Sequence, residues 1–306
     1  MASNKTITGK GRSRFIFLAL SVVILLVDLL FVLINVHADN RAIEQSLKAQ
    51  SRELRSGFEL AVSLTYRNMM QLASYVSQDP EVQALMRKAK HAVAAEGDGP
   101  GGERAAEIRS ELYALLGPRW RDLTQRYDVR QLHFHLGPGS TSFLRVHKPD
   151  KFGDTMHALR YTIVDTNAEK SARSGFETGR VYSGLRGVVP MFAENGASVT
   201  EHLGALEVGT SFSNILHLIE RELQSDITVL LKREHAEQAM WPEAITRIFG
   251  SSKRVDGYFV EATSSPRQVE MLREVVSESL IDDVQSRWRK VDNRHYLHTL
   301  FPLYDY

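Results

Sequence analysis

Residues 131–147 read Gln131-Leu-His-Phe-His-Leu136, then Gly137-Pro-Gly-Ser140, then, after Thr141, Ser142-Phe-Leu-Arg-Val-His147. Two alternating runs on either side of a Gly/Pro cluster are the signature of a β-hairpin. The period of the apolar residues changes here. Upstream it is helical, and downstream alternating stretches recur at Gly175–Glu177, Gly184–Phe192 and His202–Gly209. Asn195-Gly196 predicts a tight hairpin between the last two. A polar connection with a short helix fills Lys148 to Lys170. About five strands with a helical insertion after the second predict an antiparallel, PAS-like sheet with helices on one face, an α+β fold.

A second run of mixed elements follows. Ser211–Leu223 predicts a helix, Asp226–Leu231 a strand, Glu234–Phe249 a helix, Gly257–Ala262 a strand, Arg267–Asp283 a helix and His295–Leu303 a strand. A strand near a chain end needs a neighbour to cover it. The end at Tyr306 is therefore read as a cut, with a sheet and a second membrane span expected beyond it.

Upstream, Phe15 to Ile34 is an apolar stretch preceded by Lys5, Lys10, Arg12 and Arg14. About 20 apolar residues suffice to cross a bilayer as a helix. The basic flank places residues 1–14 in the cytoplasm and the bulk of the chain outside, by the positive-inside rule. A secretory signal, with Val36-His37-Ala38 as its cleavage site, is the competing reading. The run is long for a signal, and helical periodicity continues past that site. Asp28 lies inside the run, where an acid either faces a partner helix or is tolerated singly. From His37 to Gln78 one apolar stripe recurs at helical spacing through Ile43, Leu47, Leu54, Phe58, Ala61, Met69 and Val76. Leu47, Leu54 and Phe58 are expected to pack against a second copy in a parallel homodimer; the competing reading packs them only on the chain's own proximal module. Asp79-Pro80 ends that helix, Glu81–Ala95 forms another, and Glu96 to Gly102 is a loop. A third helix runs over Glu103–Tyr127, with Gly117-Pro118 expected to break or kink it.

Lys and Arg total 38 against 37 Asp and Glu, and there is no cysteine. The balance and the location argue against nucleic acid as a partner. Disulfides and thiolate metal sites are excluded. Gly-rich phosphate loops, nucleophile elbows and zinc-protease helices are absent from the sequence, so no catalytic residues and no cofactor are assigned.

Alternate strand residues share a face. Phe143, Arg145 and His147 are therefore expected on one side, Leu144 and Val146 on the other. His133 and His135 share a face of the preceding strand, and Tyr182, Gly184 and Arg186 share a parity farther on. A face gathering arginine, histidine and aromatic rings suits a small, partly apolar anion, because a guanidinium grips a carboxylate through two hydrogen bonds. The competing reading pairs Arg145 and Arg186 internally with Asp154 or Glu177. Three histidines on neighbouring strands also raise a metal site. Their spacing is weak for one, and none is assigned.

The stretches Phe143-Leu-Arg-Val-His147-Lys-Pro-Asp-Lys-Phe-Gly153-Asp154 and Gly175-Phe-Glu-Thr-Gly-Arg-Val-Tyr-Ser-Gly-Leu-Arg-Gly-Val-Val-Pro190 resemble the extracytoplasmic double-Cache sensor domains of bacteria. Such domains occur in chemoreceptors, sensor histidine kinases and diguanylate cyclases. The resemblance implies a receptor at the bacterial inner membrane, its bulk periplasmic, with a small molecule bound in the module farther from the membrane. It divides the chain into a tail (1–14), a span (15–36), a helical section (37–127), a distal ligand-binding module (128–223) and a proximal module (224–306). An anchored periplasmic binding or hydrolytic protein, complete as it stands, is the alternative.

Overall fold

The computed structural model describes residues 9–195, 199–223, 225–275, 284–291 and 294–306. Its first element, α1 (Gly9–Ser77), is a single helix of 69 residues. The apolar span and the long helix read separately from the sequence are thus one rod. Its N-terminal part is long and apolar enough to cross a membrane, and none of that apolar window is buried by the rest of the chain. The rod ends where expected. Asp79 caps α2 (Pro80–Ala95), its carboxylate accepting the N–H groups of Glu81 at 2.8 Å and Val82 at 3.3 Å. Glu96 then reaches forward to accept the N–H groups of Gly102, Arg104 and Ala105, which starts α3 (Glu103–Tyr127). Of the expected break or kink at Gly117-Pro118, the break does not occur, and α3 continues through Pro118. Leu112, Leu116 and Trp120 flank it on one buried face, and their burial offsets the lost backbone hydrogen bond.

Strands β1 (Val129–Leu136), β2 (Thr141–Arg145), β3 (Arg173–Thr178), β4 (Ser183–Asn195) and β5 (Val199–Thr210) form one antiparallel sheet in the order β2-β1-β5-β4-β3. Helix α4 (Tyr161–Glu169) is the insertion between β2 and β3. The β4–β5 pairing reaches Asn195 and Val199, while Gly196 of the expected turn lies outside the described residues. The α+β, PAS-like sheet read from the sequence is therefore present. Helices α1, α2 and α3 cover one face. There Met69, Met86, Ile108 and Leu112 meet Leu132, Phe134, Leu144, Val189, Met191 and Leu206 in a continuous apolar core. Helix α4 lies on the other face, so helices cover both faces and not only the one expected.

Helix α5 (Ser213–Leu223) leads into a second unit made of β6 (Thr228–Lys232), α6 (Arg233–Ala239), α7 (Pro242–Ile248), β7 (Arg254–Val255), β8 (Tyr258–Thr263), α8 (Pro266–Val275), β9 (Gln285–Val291) and β10 (Arg294–Leu300). Its strands pair as β6-β8-β7 and as a separate β9–β10 ribbon. Two expectations change here, and a third lies partly outside the described residues. The helix expected over 234–249 is two, because Pro242 begins a new helix after Trp241 leaves helical geometry. Helix α8 is described to Val275, and residues 276–283 lie outside the described part. Strand β9 was not expected at all.

Helix α1 serves both units. Phe58 is 3% exposed, with its ring 6.0 Å from that of Phe212 and 5.8 Å from that of Phe301. Phe58, with Leu54 packed beside it, is therefore covered by the chain's own second unit rather than left for a second copy. Beyond the span, Leu60, Leu64 and Tyr75 are exposed apolar residues on a different stripe of α1. The last residues return to the first unit, where the Tyr306 N–H donates to Phe176 O at 2.9 Å.

Candidate functional site

The face of the five-stranded sheet turned away from α1–α3 carries a buried charged cluster. The β1–β2 pairing aligns His133 with Arg145 and His135 with Ser142, and the β1–β5 pairing sets His133 opposite Glu207. Between those β1–β2 pairs Phe143 is the extra residue of a β-bulge. The bulge breaks the simple alternation expected from the sequence. Phe143 joins Leu144 in the apolar core on the helical face, where the Arg109 guanidinium stacks 4.9 Å from its ring.

Glu207 is the hub. It is fully buried on β5. Its Oε1 accepts hydrogen bonds from Arg160 at 2.7 Å and from Arg186. Its Oε2 lies 3.3 Å from His135 Nε2 and 3.5 Å from His133 Nδ1. Glu177 on β3 is the second acid. It pairs with Arg160 at 2.9 Å, accepts the Thr162 N–H at 2.8 Å, and accepts the Thr162 hydroxyl. Arg186 also donates to Gln131 Oε1 and to the carbonyl of Tyr182 at 2.9 Å. Two guanidiniums and two carboxylates therefore balance within a buried site, where an unpaired ion would be costly.

The ionisation follows from these contacts. Burial pushes the Glu207 carboxyl up, but Arg160 and Arg186 outweigh burial and hold it well below the usual carboxylate range. Burial, assisted by the neighbouring His135, keeps His133 neutral. Burial likewise depresses His135, and it brings His147 down to about 4. The two buried imidazoles are close, with ring centroids 3.7 Å apart. His133 Nε2 lies 2.8 Å from the Ser142 hydroxyl, whereas His135 Nδ1 has no partner.

The structure thus brings His133, His135 and Arg186 into one cluster, with His147 at its edge, its Nδ1 3.3 Å from Leu132 O. Arg145 is held apart from the hub. It makes two 2.8 Å hydrogen bonds to Asp154, which the 146–160 connection carries back alongside β2. Arg145 thus makes the internal pair of the competing reading, and Arg186 pairs with Glu207 rather than with the Glu177 carboxylate. Tyr182 lies half-buried at the rim, with Lys148 and Arg247 over its ring. Gly184 and Gly187 admit neighbouring backbone: a Cβ on Gly184 would meet Thr210 O at 2.6 Å, and one on Gly187 would meet Met70 N at 2.5 Å.

Glu207 and Arg160 were not singled out from the sequence, nor was Gln131. Glu207 left one signal, since it is an acid within an otherwise apolar strand, Leu203 to Val208. His133, His135 and Glu207 offer ligand atoms within 4.8 Å of one another, a spacing that could hold a metal ion. Charge opposes it: a divalent cation would join two guanidiniums already on the same carboxylate.

A separate cavity of about 720 Å³ lies in the second unit. Leu54 and Phe58 of α1, Val229 and Leu231 of β6, and Phe301 wall it. At its edge His235 pairs with Asp305 at 2.7 Å.

Comparison with known proteins agrees with this architecture. Residues 48–306 match the family described as the double sensory domain of two-component sensor kinase, and the chain belongs to that family. It is a sensory, ligand-binding family. Among solved structures the chain is similar to the Escherichia coli DcuS sensor domain, at 10% identity and a TM-score of 0.37, over 53% of this chain and 98% of that one. It is also similar to an extracellular ligand-binding receptor from Desulfohalobium retbaense, at 13% identity and a TM-score of 0.30, over 78% of this chain and 38% of that one. The third is the ligand-binding domain of the Campylobacter jejuni chemoreceptor Tlp3 in complex with 4-methylisoleucine, at 13% identity and a TM-score of 0.30, over 79% of this chain and 86% of that one. No curated protein matches.

Proposed function

We propose that this chain is the extracytoplasmic ligand-sensing portion of a bacterial transmembrane signalling receptor. Residues 15–36 would span the inner membrane, with residues 1–14 cytoplasmic and the remainder periplasmic. The five-stranded unit (128–223) is the membrane-distal module that receives a small, carboxylate-bearing molecule, and residues 224–306 form the proximal module. The observation that carries this reading is the continuity of α1, which runs without a break from the apolar span onto both units of a sensory-family fold. Ligand-driven shifts of packed helices are a common way to pass a signal. A second copy is proposed to pack along the exposed stripe of Leu60, Leu64 and Tyr75.

Arg145 and Arg186 support ligand binding less directly than their sequence pattern suggests, because Asp154 and Glu207 already hold them. The test is a thermal-shift screen of the full chain in lipid nanodiscs against organic acids, amino acids and amines. Stabilisation by carboxylates is expected. Stabilisation by amines alone would overturn the anionic reading while leaving the sensory one.

A further inference from the structure

The cations around the sheet face fall into two groups. Arg145, Arg160, Arg173 and Arg186 each have a carboxylate partner. Lys148 and Arg247 have none among the described residues, yet both sit against one aromatic ring. The Lys148 ammonium lies 5.4 Å from the Tyr182 ring centroid and the Arg247 guanidinium 5.8 Å. They come from different units, Lys148 from the connection after β2 and Arg247 from α7. One backbone hydrogen bond fixes the approach: the Trp241 N–H, at the start of α7, donates to Arg180 O at 2.9 Å in the β3–β4 loop that also carries Tyr182.

From this arrangement we infer that Lys148 and Arg247, on either unit and joined across Tyr182, form a seat for a small oxyanion, a phosphate or carboxylate group that bridges the two units. Cation–π contact satisfies part of each charge and leaves their outward donors for an anion. Burial, then the positive charges of Arg247, Arg145 and Lys151, holds the Lys148 ammonium below its ordinary range. An anion placed there would relieve this repulsion. The seat also adjoins the buried cluster, since the carbonyl of Tyr182 accepts from Arg186. Occupancy would therefore bear on the loop that anchors Arg186 and on the packing of α7 together. The inference rests on the anionic-ligand reading above and names a different place for the anion than Arg145 and Arg186.

The experiment uses the full chain in nanodiscs of zwitterionic lipid, titrated calorimetrically with inorganic phosphate against chloride of equal ionic strength. Phosphate is expected to bind and to raise the melting temperature. Lys148→Gln and Arg247→Gln should each weaken binding at least tenfold, whereas Arg126→Gln at the end of α3 should not. Without phosphate Lys148→Gln should melt no lower than the wild type, which separates a lost seat from a lost fold. Equal phosphate affinity in the wild type and the doubly substituted chain would overturn the seat, and so would a wild type that phosphate affects no more than chloride. Carboxylates that still stabilise the chain in the screen would then show that the anionic reading survives with its site elsewhere.

Discussion

Gly187 of β4 lies directly against the backbone of Met70 in α1. A Cβ at residue 187 would sit 2.5 Å from Met70 N and 2.8 Å from the Met69 carbonyl carbon. Its chain neighbour Arg186 points to the opposite face and enters the charged cluster. One dipeptide therefore touches both the candidate sensing face and the helix that leads to the membrane. Gly187→Ala should force α1 off the sheet and destabilise the chain by about 1–3 kcal/mol, the usual cost of overpacking. Chemical denaturation measures this, and unchanged stability would show that α1 yields without strain.

Removing the hub should cost more. Glu207→Ala leaves Arg160 and Arg186 buried with one carboxylate between them, a loss of about 3–5 kcal/mol for breaking a buried pair. Asp154→Asn breaks only the partly exposed pair with Arg145, so about 1 kcal/mol or less is expected. Melting of the two variants in parallel checks the order.

Acid should loosen the first unit through its histidines. His133, His135 and His147 have folded pKa values below the unfolded value near 6.5. The unfolded chain then binds more protons than the folded one, and stability is lost as pH falls below 6.5. For His147 the loss continues down to about pH 4. His147→Gln should flatten the stability profile between those limits. His235 works in the opposite sense, because its hydrogen bond to Asp305 raises its pKa, against burial. That contribution is full below about pH 6.5 and disappears as pH rises through the folded value. NMR titration of the two imidazoles separates the effects.

The sequence carried the backbone plan better than the chemistry. The hairpin at 131–147 showed in its period, and the boundaries at Asp79-Pro80 and over Glu96 to Gly102 showed in their proline and glycines. Strand β9 did not show, because Gln285-Ser-Arg-Trp-Arg-Lys-Val291 has little apolar alternation. Pro242 and Pro118 had opposite outcomes, since one begins a helix and the other is carried through by flanking burial. Parity put His133, His135 and Arg186 together, but Phe143 escaped it through a bulge that no residue type announces. The hub acid was out of reach for a different reason. Glu207 lies 72 residues from His135, and a pairing across strands that far apart is a property of sheet order. Lys148 and Arg247 meet only because two units pack together.

The dimer proposal has a local test. Cysteines at Leu60 or Leu64, which are 61% and 45% exposed, should crosslink symmetrically in membranes. A cysteine at Phe58 should not, since that position is buried by its own chain. Crosslinking at Phe58 and not at Leu60 would place the interface on the other side of α1.

The central claim is that α1 works as one rigid element between the membrane span and the sensing units. A flexible Gly-Ser insertion at Ala38, just past the span, tests it most directly in a membrane-embedded chimera joining the chain to an output domain of known activity. Ligand affinity should stay nearly unchanged while the ligand-driven change in output is lost, because a rod must be continuous to transmit a shift. Output of normal amplitude in the insertion variant would contradict the claim and reduce α1 to a tether.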